Sequence, residues 1–353
     1  MLVAVTGANG FVGLNVVQGL LDAGHAVRAV VRPSSDVRYL ARLGARILRT
    51  DLDDERGLDR AFWGVEGVVH CAGATSCDRR DLSGLVATNV EGTRAVVRAA
   101  LRCEAARFVY TSTTATIGAR HRGCPSNEYS PLQGFRARSA YARTKAAAER
   151  IVLEATREGL APIVLNLAEV IGPWDHTLQW GRTVLAVCHD HVPFVAPGAA
   201  TFCSAVEVGR AHAAALERGT IGARYILGGA DASYRELVDT IAAVAGLRPC
   251  LPRGSYALRR ARARLAVACR RFGAPQPLVD PYRMRLFAGD YRFDSARAVR
   301  DLGYRSASLV EMVRSAWAWY RAEGMVPPSG KRSLAPCRDL GFCSGHALKA
   351  VCR

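Results

Sequence analysis

Short apolar runs alternate with stretches of helical periodicity through the first 165 residues of the chain. The runs are almost continuously apolar, which is typical of strands that helices cover on both faces of a parallel sheet. We predict strands at Leu2–Thr6, Ala26–Val31, Ala45–Leu48, Gly67–Cys71, Arg107–Thr111 and Ile163–Leu167. The intervening helices are predicted to begin near Phe11, Asp36, Asp54, Leu82 and Ser139. This alternation indicates an α/β fold with a doubly wound parallel sheet.

A glycine-rich turn joins the first strand to the first helix. It reads Thr6-Gly7-Ala8-Asn9-Gly10-Phe11-Val12-Gly13. Gly7 permits a tight turn, Gly10 lets the backbone approach a pyrophosphate, and Gly13 allows close packing of helix against strand. The helix N-terminus supplies N–H groups to the phosphates. The turn therefore predicts a dinucleotide site that includes Asn9, Phe11 and Val12.

The pattern after Gly172 is looser and predicts a second part of the molecule. A helix at Gly181–Cys188, a strand at Ala223–Leu227 and helices at Tyr234–Ala245 and Leu309–Glu323 are its clearest elements. We interpret residues 1–172 as a dinucleotide-binding domain of the Rossmann type, to which 201–230 return. Residues 173–200 and 231–328 would form a smaller substrate-binding part. The cysteines of 329–353 match no common zinc spacing, and we expect a disordered tail there.

The end of the second strand bears on the choice of dinucleotide. NAD enzymes usually carry Asp or Glu there, but Arg32 occupies that place and is followed by Ser34 and Ser35. A guanidinium suits a 2′-phosphate, which favours NADP over NAD, although a surface arginine in an arginine-rich chain is the alternative. Asp51 and Leu52 follow the third strand and are placed to meet the adenine. A helix cap formed by Asp51 or Asp53 is the simpler alternative.

Three groups with complementary chemistry follow in chain order: Thr113 after the fifth strand, then Tyr141 and Lys145. The last two are four residues apart and share a face of the helix that begins near Ser139. A tyrosine hydroxyl, with a pKa of about 10, is a poor base until a nearby ammonium stabilises the tyrosinate. Thr113, or Ser112 as the alternative, can hydrogen-bond the same substrate oxygen. The trio therefore predicts proton transfer to or from a carbonyl oxygen.

Composition narrows the possible partners. The net charge of +17 comes almost wholly from dispersed arginines, because the chain has only three lysines, so we expect no nucleic-acid binding. No apolar run approaches the roughly 20 residues of a membrane span. The first strand directly follows Met1, and eleven cysteines show no disulfide framework. We therefore expect a cytoplasmic protein without a signal peptide, with reduced thiols and no metal.

The motifs together resemble the extended short-chain dehydrogenase/reductase superfamily, from Met1 to about Pro328. Further matching segments are His70–Ala74, Asn89–Thr93, Gly172-Pro173, Tyr225–Gly229 and Leu302–Tyr304. The chain is most similar to the dihydroflavonol reductase branch and, in the stretch from Ala211-His212 through Gly229, to bacterial hopanoid-associated sugar epimerases. The resemblance implies Thr113, Tyr141 and Lys145 as catalytic residues. It also implies that Cys71, Ala72, Gly73, Tyr141 and Lys145 contact the cofactor.

Two positions depart from the pattern of that superfamily. Leu167 stands where the superfamily usually has proline after the sixth strand. Val206-Glu207, shortly before Ala211-His212, has one acidic residue where the superfamily usually has two. The first change can reshape the nicotinamide pocket, and neither change alters the catalytic trio. Dehydratases carry Asp-Glu directly after the catalytic threonine, where this chain has Thr114-Ala115, which argues against dehydration.

The sequence allows three functions. A reductase that uses NADP(H) to reduce a carbonyl of a small, lipophilic or secondary-metabolite substrate is our first prediction. A sugar-nucleotide epimerase with tightly bound NAD is the second, and a dinucleotide-binding regulator without activity is a distant third. An Arg-rich amphipathic helix within Arg253–Phe272 either packs on the domain or lies on an anionic membrane surface, and we favour packing. Nothing in the sequence decides the oligomeric state, and a homodimer is one option.

Overall fold

The computed structural model describes residues 1–75, 82–119, 124–189, 192, 194–248, 255–269 and 281–326. Its strands are β1 (Leu2–Thr6), β2 (Ala26–Val31), β3 (Arg46–Arg49), β4 (Gly67–His70), β5 (Arg107–Thr113), β6 (Pro162–Leu167), β7 (Glu169–Ile171), β8 (Ala199–Ser204), β9 (Arg224–Leu227), β10 (Ala230–Ser233) and β11 (Asp290–Tyr291). Seven of them form a parallel sheet in the order β3-β2-β1-β4-β5-β6-β9. The predicted α/β fold with a doubly wound sheet is confirmed.

Helices cover both faces of this sheet. The helices of the described chain are α1 (Phe11–Asp22), α2 (Arg38–Leu43), α3 (Glu55–Phe62), α4 (Leu82–Leu85), α5 (Gly92–Arg102), α6 (Ala140–Glu154), α7 (Gly181–Cys188), α8 (Ala205–Arg218), α9 (Tyr234–Ala245), α10 (Tyr256–Cys269), α11 (Pro281–Phe287), α12 (Ala296–Leu302) and α13 (Leu309–Ala322). A π-helical turn, Val86–Glu91, joins α4 to α5.

Alternate residues of each central strand enter different hydrophobic cores. Val3 and Val5 of β1 pack with α1 and α8, whereas Ala4 packs on the opposite face with α3, α5 and α6. A strand buried on both faces has no polar side, which explains why these runs read as continuously apolar.

A second, smaller sheet lies beyond the seven-stranded one. Strand β8 pairs with antiparallel β10 on one side and with parallel β7 and β11 on the other. Helices α7, α9 and α13 contribute to the core on this sheet. Within the segment predicted to return to the first domain, β8 belongs to the small sheet and β9 to the large one. The exact division into domains stays a prediction.

Helix α10 shows an exposed apolar stripe. Leu258 and Leu265 expose 51% and 66% of their surface, whereas Ala263 is buried. The apolar stripe that we expected to pack on the domain therefore faces solvent in the described part of this helix. No helix within the described ranges combines the length and apolarity that crossing a membrane requires. The tail at 329–353 lies outside the described residues.

Helices α1 and α8 cross at two glycines. A Cβ on Gly19 would lie 2.4 Å from the carbonyl carbon of Gly209, and a Cβ on Gly209 would lie 2.1 Å from the oxygen of Asn15. Both contacts are with backbone atoms, which cannot rotate away. Only glycine at both positions allows this separation between the helices.

We predict that Gly209→Ala destabilises the protein by about 1–3 kcal/mol, the usual effect of overpacking a core contact. Gly84→Ala is the matched control, because a Cβ there meets nothing within 4 Å and alanine favours the helix. Urea unfolding of both variants measures the difference. Equal stabilities of Gly209→Ala and wild type would contradict the helix contact.

Candidate active site

The carboxyl ends of β1, β4, β5 and β6 meet at one edge of the large sheet, because these strands are neighbours and parallel. This edge brings together the glycine turn after β1, the segment Cys71–Gly73 after β4 and the threonines at the end of β5. Strand β5 extends two residues beyond its predicted end and includes Thr113. The sheet thus brings together residues that are more than 100 positions apart in the chain.

The glycine turn packs directly against the loop after β4. Gly7 has a φ of +66°, and a Cβ on it would lie 2.6 Å from the Cα of Ala72. A Cβ on Gly13 would lie 2.2 Å from the carbonyl oxygen of Gly7. The N–H of Gly10 donates to that same oxygen at 3.0 Å. The backbone therefore requires glycine at positions 7 and 13 independently of any ligand.

The N-terminus of α1 suits an anion. Helix α1 begins after Gly10 with no side-chain cap and no acidic residue in its first turn. The first N–H groups of a helix need partners, and they carry the positive end of its dipole. Asn9 and Val12 are half-buried beside this turn, and Phe11 is buried. These residues fit the pyrophosphate of a dinucleotide.

Arg32 directly follows β2 and is exposed at the start of a turn. The N–H of Ser35 donates to the Arg32 oxygen at 3.0 Å. Arg49 of β3 fixes this turn, donating to the oxygens of Pro33 at 2.6 Å and Ser35 at 3.1 Å. The following acid, Asp36, is paired with Arg38 at 2.7 Å. The turn thus carries a positive side chain where an acidic one would mark NAD specificity.

The helix cap that the sequence analysis assigned to Asp51 or Asp53 is formed by a different residue. Asp54, not Asp51 or Asp53, caps α3, since its carboxylate accepts from the N–H of Gly57 at 2.9 Å. Asp51 is exposed, and Leu52 is half-buried beside Gly92. Neither residue is used as a cap, so a role toward the adenine stays a prediction for both.

Helix α6 presents Tyr141 and Lys145 from one face. Tyr141 is half-buried, whereas Lys145 is 5% exposed. The Lys145 Nζ donates to the Thr111 oxygen at 2.8 Å and lies 4.2 Å from the ring centre of Tyr110. Burial lowers the pKa of Lys145 to about 8, against the opposing effect of Glu149. The ammonium is therefore held in place but titrates close to neutral pH.

Thr111 connects Lys145 to a buried histidine on α8. His212 Nδ1 lies 2.7 Å from the Val208 oxygen and must donate to it, so Nε2 accepts from the Thr111 hydroxyl at 2.9 Å. The Cys71 thiol then donates to Thr111 Oγ1 at 3.1 Å. Burial lowers the pKa of His212 to about 4, so that the ring is neutral, as this pattern requires.

Asn89 connects the loop after β4 to α6. Its Oδ1 accepts from the N–H of Ala74 at 2.8 Å, and its Nδ2 donates to the Ala74 oxygen at 3.0 Å. The same Nδ2 lies 3.2 Å from Thr144 Oγ1, next to Lys145 in the chain. Asn89 sits in the π-helical turn, a feature often found at functional sites.

The structure separates the two candidate hydroxyls. Ser112 is 4% exposed and its hydroxyl donates to the carboxylate of Glu149. Thr113 is half-buried, and its Oγ1 accepts from the N–H of Ala115 at 3.1 Å. Among the described residues the Thr113 hydroxyl accepts this bond and donates to no other group, so its proton is available to a ligand. This arrangement favours Thr113 over Ser112.

Comparison with known proteins identifies the family. The model of the NAD-dependent epimerase/dehydratase family matches residues 3–228. The chain belongs to this family. The resemblance inferred from the sequence is confirmed, and the protein is an NAD(P)-dependent enzyme of the extended short-chain dehydrogenase/reductase type.

Two relatives and one solved structure show which kinds of family member are similar to this chain. Sterol demethylase protein B of Methylococcus capsulatus is 33% identical over 92% of this chain and 100% of its own length. A putative dihydroflavonol 4-reductase of Synechocystis is 30% identical over 91% and 95%. A nucleoside-diphosphate-sugar epimerase from Pseudomonas aeruginosa aligns with a TM-score of 0.77 at 26% identity, over 93% and 99%.

The sequence motifs predict no role for three buried polar residues of this site: Asn89, Glu149 and His212. Asn89 and His212 lie in segments that carried the resemblance, and Glu149 is four residues beyond Lys145 on the same helix face. That four-residue spacing could have predicted that Glu149 lies beside Lys145. No cluster of three metal-binding side chains occurs among residues whose placement is described.

The buried ammonium predicts a stability that depends on pH. The pKa of Lys145 is about 8 in the folded protein and near 10.5 when unfolded, so the unfolded chain binds more protons between these values. At pH 7 Lys145→Met should be more stable than wild type, with a pH-dependent part of up to about 3 kcal/mol. That part should shrink as pH rises to 10. Urea unfolding without cofactor at both pH values measures it, and a constant difference would contradict the burial of a charged Lys145.

Proposed function

We propose that the protein is an NADPH-dependent reductase of a small-molecule carbonyl. The observation that carries this proposal is the exposed Arg32 at the end of β2, in a turn fixed by Arg49 and without a free acid beside it. A guanidinium makes charge-assisted bonds to a 2′-phosphate, which only NADP(H) carries. A reductase has to exchange its cofactor in every cycle, and biosynthetic reduction generally uses NADPH.

The cofactor would lie along the carboxyl edge of the large sheet. The glycine turn and the N-terminus of α1 would hold its pyrophosphate, and Arg32 with Ser34 and Ser35 its 2′-phosphate. Asp51 and Leu52 are assigned to the adenine, and Cys71–Gly73 with Lys145 to the nicotinamide half. Bound NADPH supplies the hydride for the carbonyl carbon.

The chain's own residues act on the carbonyl oxygen. Thr113 hydrogen-bonds this oxygen and fixes its orientation, and Tyr141 donates the proton as negative charge develops there. The Lys145 ammonium stabilises the tyrosinate that is left. Because Thr111 and His212 hold Lys145 in place, the charge is positioned before the substrate arrives.

The proposed substrate is a lipophilic small molecule. Two relatives carry names that refer to sterols and to dihydroflavonols, compounds built on carbon skeletons of several rings. The exposed stripe of α10, formed by Leu258, Ala261 and Leu265, is compatible with a site that receives such molecules from an apolar phase.

A sugar-nucleotide epimerase is the second candidate. The likeness to the Pseudomonas aeruginosa epimerase structure favours it, and epimerases regenerate their cofactor internally. Such an enzyme would keep NAD bound during purification, which separates the two functions experimentally.

We predict that the purified protein is largely free of cofactor and binds NADPH more tightly than NADH. Arg32→Asp should reverse this order and weaken NADPH at least tenfold, about 1.4 kcal/mol, because the 2′-phosphate then meets a like charge. Arg314→Asp, an exposed change on α13, is the charge-matched control. Fluorescence titration measures both affinities. Purification with stoichiometric, non-exchanging NAD would instead establish the epimerase.

We predict that Tyr141→Phe lowers kcat by 10²-fold or more while NADPH affinity changes little, since only the proton-donating oxygen is removed. Tyr129→Phe, at a side chain that is 79% exposed, should leave both quantities unchanged. NADPH oxidation with a panel of ketones measures turnover. More than about a tenth of wild-type rate in Tyr141→Phe would remove Tyr141 from the mechanism.

A further inference from the structure

Glu149 is a buried carboxylate at the end of the helix face that carries Tyr141 and Lys145. Its side chain is 7% exposed. Three donors from two strands and a turn converge on Oε1, namely the Ser112 and Thr116 hydroxyls and Asn166 Nδ2. Arg224 of β9 lies 3.0 Å from Oε2. All four partners present hydrogen-bond donors to this carboxylate.

The partners of Glu149 fix the backbone around Thr113. Ser112 directly precedes Thr113, and Thr116 is the last residue of the single 3-10 turn that follows Thr113. Asn166 Nδ2, 2.7 Å from Glu149, also lies 3.2 Å from the Thr113 oxygen. Thr116 Oγ1 donates to Glu149 and lies 3.4 Å from Arg224. Glu149 is therefore the common acceptor for the segment that presents the candidate hydroxyl.

The charge of Glu149 also acts on Lys145 one turn away. Burial lowers the pKa of Lys145, and the carboxylate of Glu149 opposes that shift. The other titratable or charged groups around these two residues come from β4, the loop after it, β5, α8 and β9, and from α6 itself: His70, Cys71, Tyr110, Tyr141, His212 and Arg224. Burial keeps His70 and His212 neutral and Cys71 protonated, so Glu149 and Arg224 are the charges nearest to the ammonium among these groups.

We propose that Glu149 is a positioning residue of the active site, which fixes the segment carrying Thr113 and stabilises the ammonium form of Lys145. This inference rests on the proposed roles of Thr113, Tyr141 and Lys145. A buried ion pair with a purely structural role is the competing explanation, since breaking such a pair destabilises a protein whatever its function.

The chain itself offers a direct test, because Lys145 is one of only three lysines, beside Lys331 and Lys349. Isotope-labelled lysine gives three side-chain NMR signals, and Lys145→Arg identifies the one that belongs to Lys145. Titration of that signal in cofactor-free full-length protein yields its pKa without any turnover.

Two substitutions should move this pKa in opposite directions. Glu149→Gln keeps the shape but removes a negative charge, so the pKa of Lys145 should fall below its wild-type value. Arg224→Gln removes the opposing positive charge, so the pKa should rise. Glu154→Gln is the matched control on the same helix, because Glu154 is exposed and pairs only loosely with Arg150 at 3.9 Å. Structural damage alone cannot produce shifts of opposite sign.

Turnover provides the second readout. Glu149→Gln should lower kcat by roughly tenfold to a hundredfold, the effect expected of a misplaced reacting group, while KM for NADPH stays within about twofold. The alkaline limit of kcat should move to lower pH in Glu149→Gln and to higher pH in Arg224→Gln.

The outcomes separate this inference from the proposed function. An unchanged Lys145 pKa in folded Glu149→Gln overturns the stabilisation of the ammonium, and an unchanged kcat overturns the positioning of Thr113. If wild type reduces no carbonyl but the opposite shifts appear, the electrostatic role of Glu149 stands and the reductase proposal fails. If Glu149→Gln does not fold, Arg224→Gln decides, since an unchanged or lowered pKa there contradicts the proposal.

Discussion

An ammonium group buried at the edge of a parallel sheet is the constraint on which the rest of this site depends. Removing a charge from water costs several kcal/mol unless neighbouring groups compensate. Lys145 is 5% exposed, and the Thr111 oxygen and the face of the Tyr110 ring compensate part of this cost. The Thr111 side chain is itself fixed by a histidine whose ring burial keeps neutral. Each neighbour thus has a polarity or an orientation that the ammonium requires.

Parallel strands make this arrangement possible with little local sequence. Ser112 and Asn166 are register partners on β5 and β6, so their side chains reach the same carboxylate although 54 residues separate them. The cofactor selection that we propose is located elsewhere, at the end of β2. The two properties therefore rest on different strand ends, which is consistent with a family that includes both reductases and epimerases.

The parts of the site that the sequence predicted are those encoded by local spacing. The glycine turn, the Tyr141–Lys145 face and the position of Arg32 each lie within one loop or one helix. Asn89, Glu149 and His212 gain their roles from partners up to 101 residues away, which no single motif shows. The small sheet was missed for a related reason, since β11 has two residues and β10 reads Ala-Asp-Ala-Ser. Such strands form because β8 lies beside them, and their own residues carry no strand pattern.

The contact of α1 with α8 has a consequence for how this enzyme can diverge. Helix α1 begins at the turn assigned to the phosphates, and α8 carries His212 one turn beyond Gly209. Because Gly19 and Gly209 leave no room for a methyl group, the backbones of the two helices are in direct contact, and a shift of one has to be matched by the other. The turn assigned to the phosphates and the histidine that supports Lys145 are thereby coupled through this contact. We therefore expect sequence changes that alter the substrate to fall in the loops at the strand ends and in the smaller sheet. Changes there leave the contact between α1 and α8 intact.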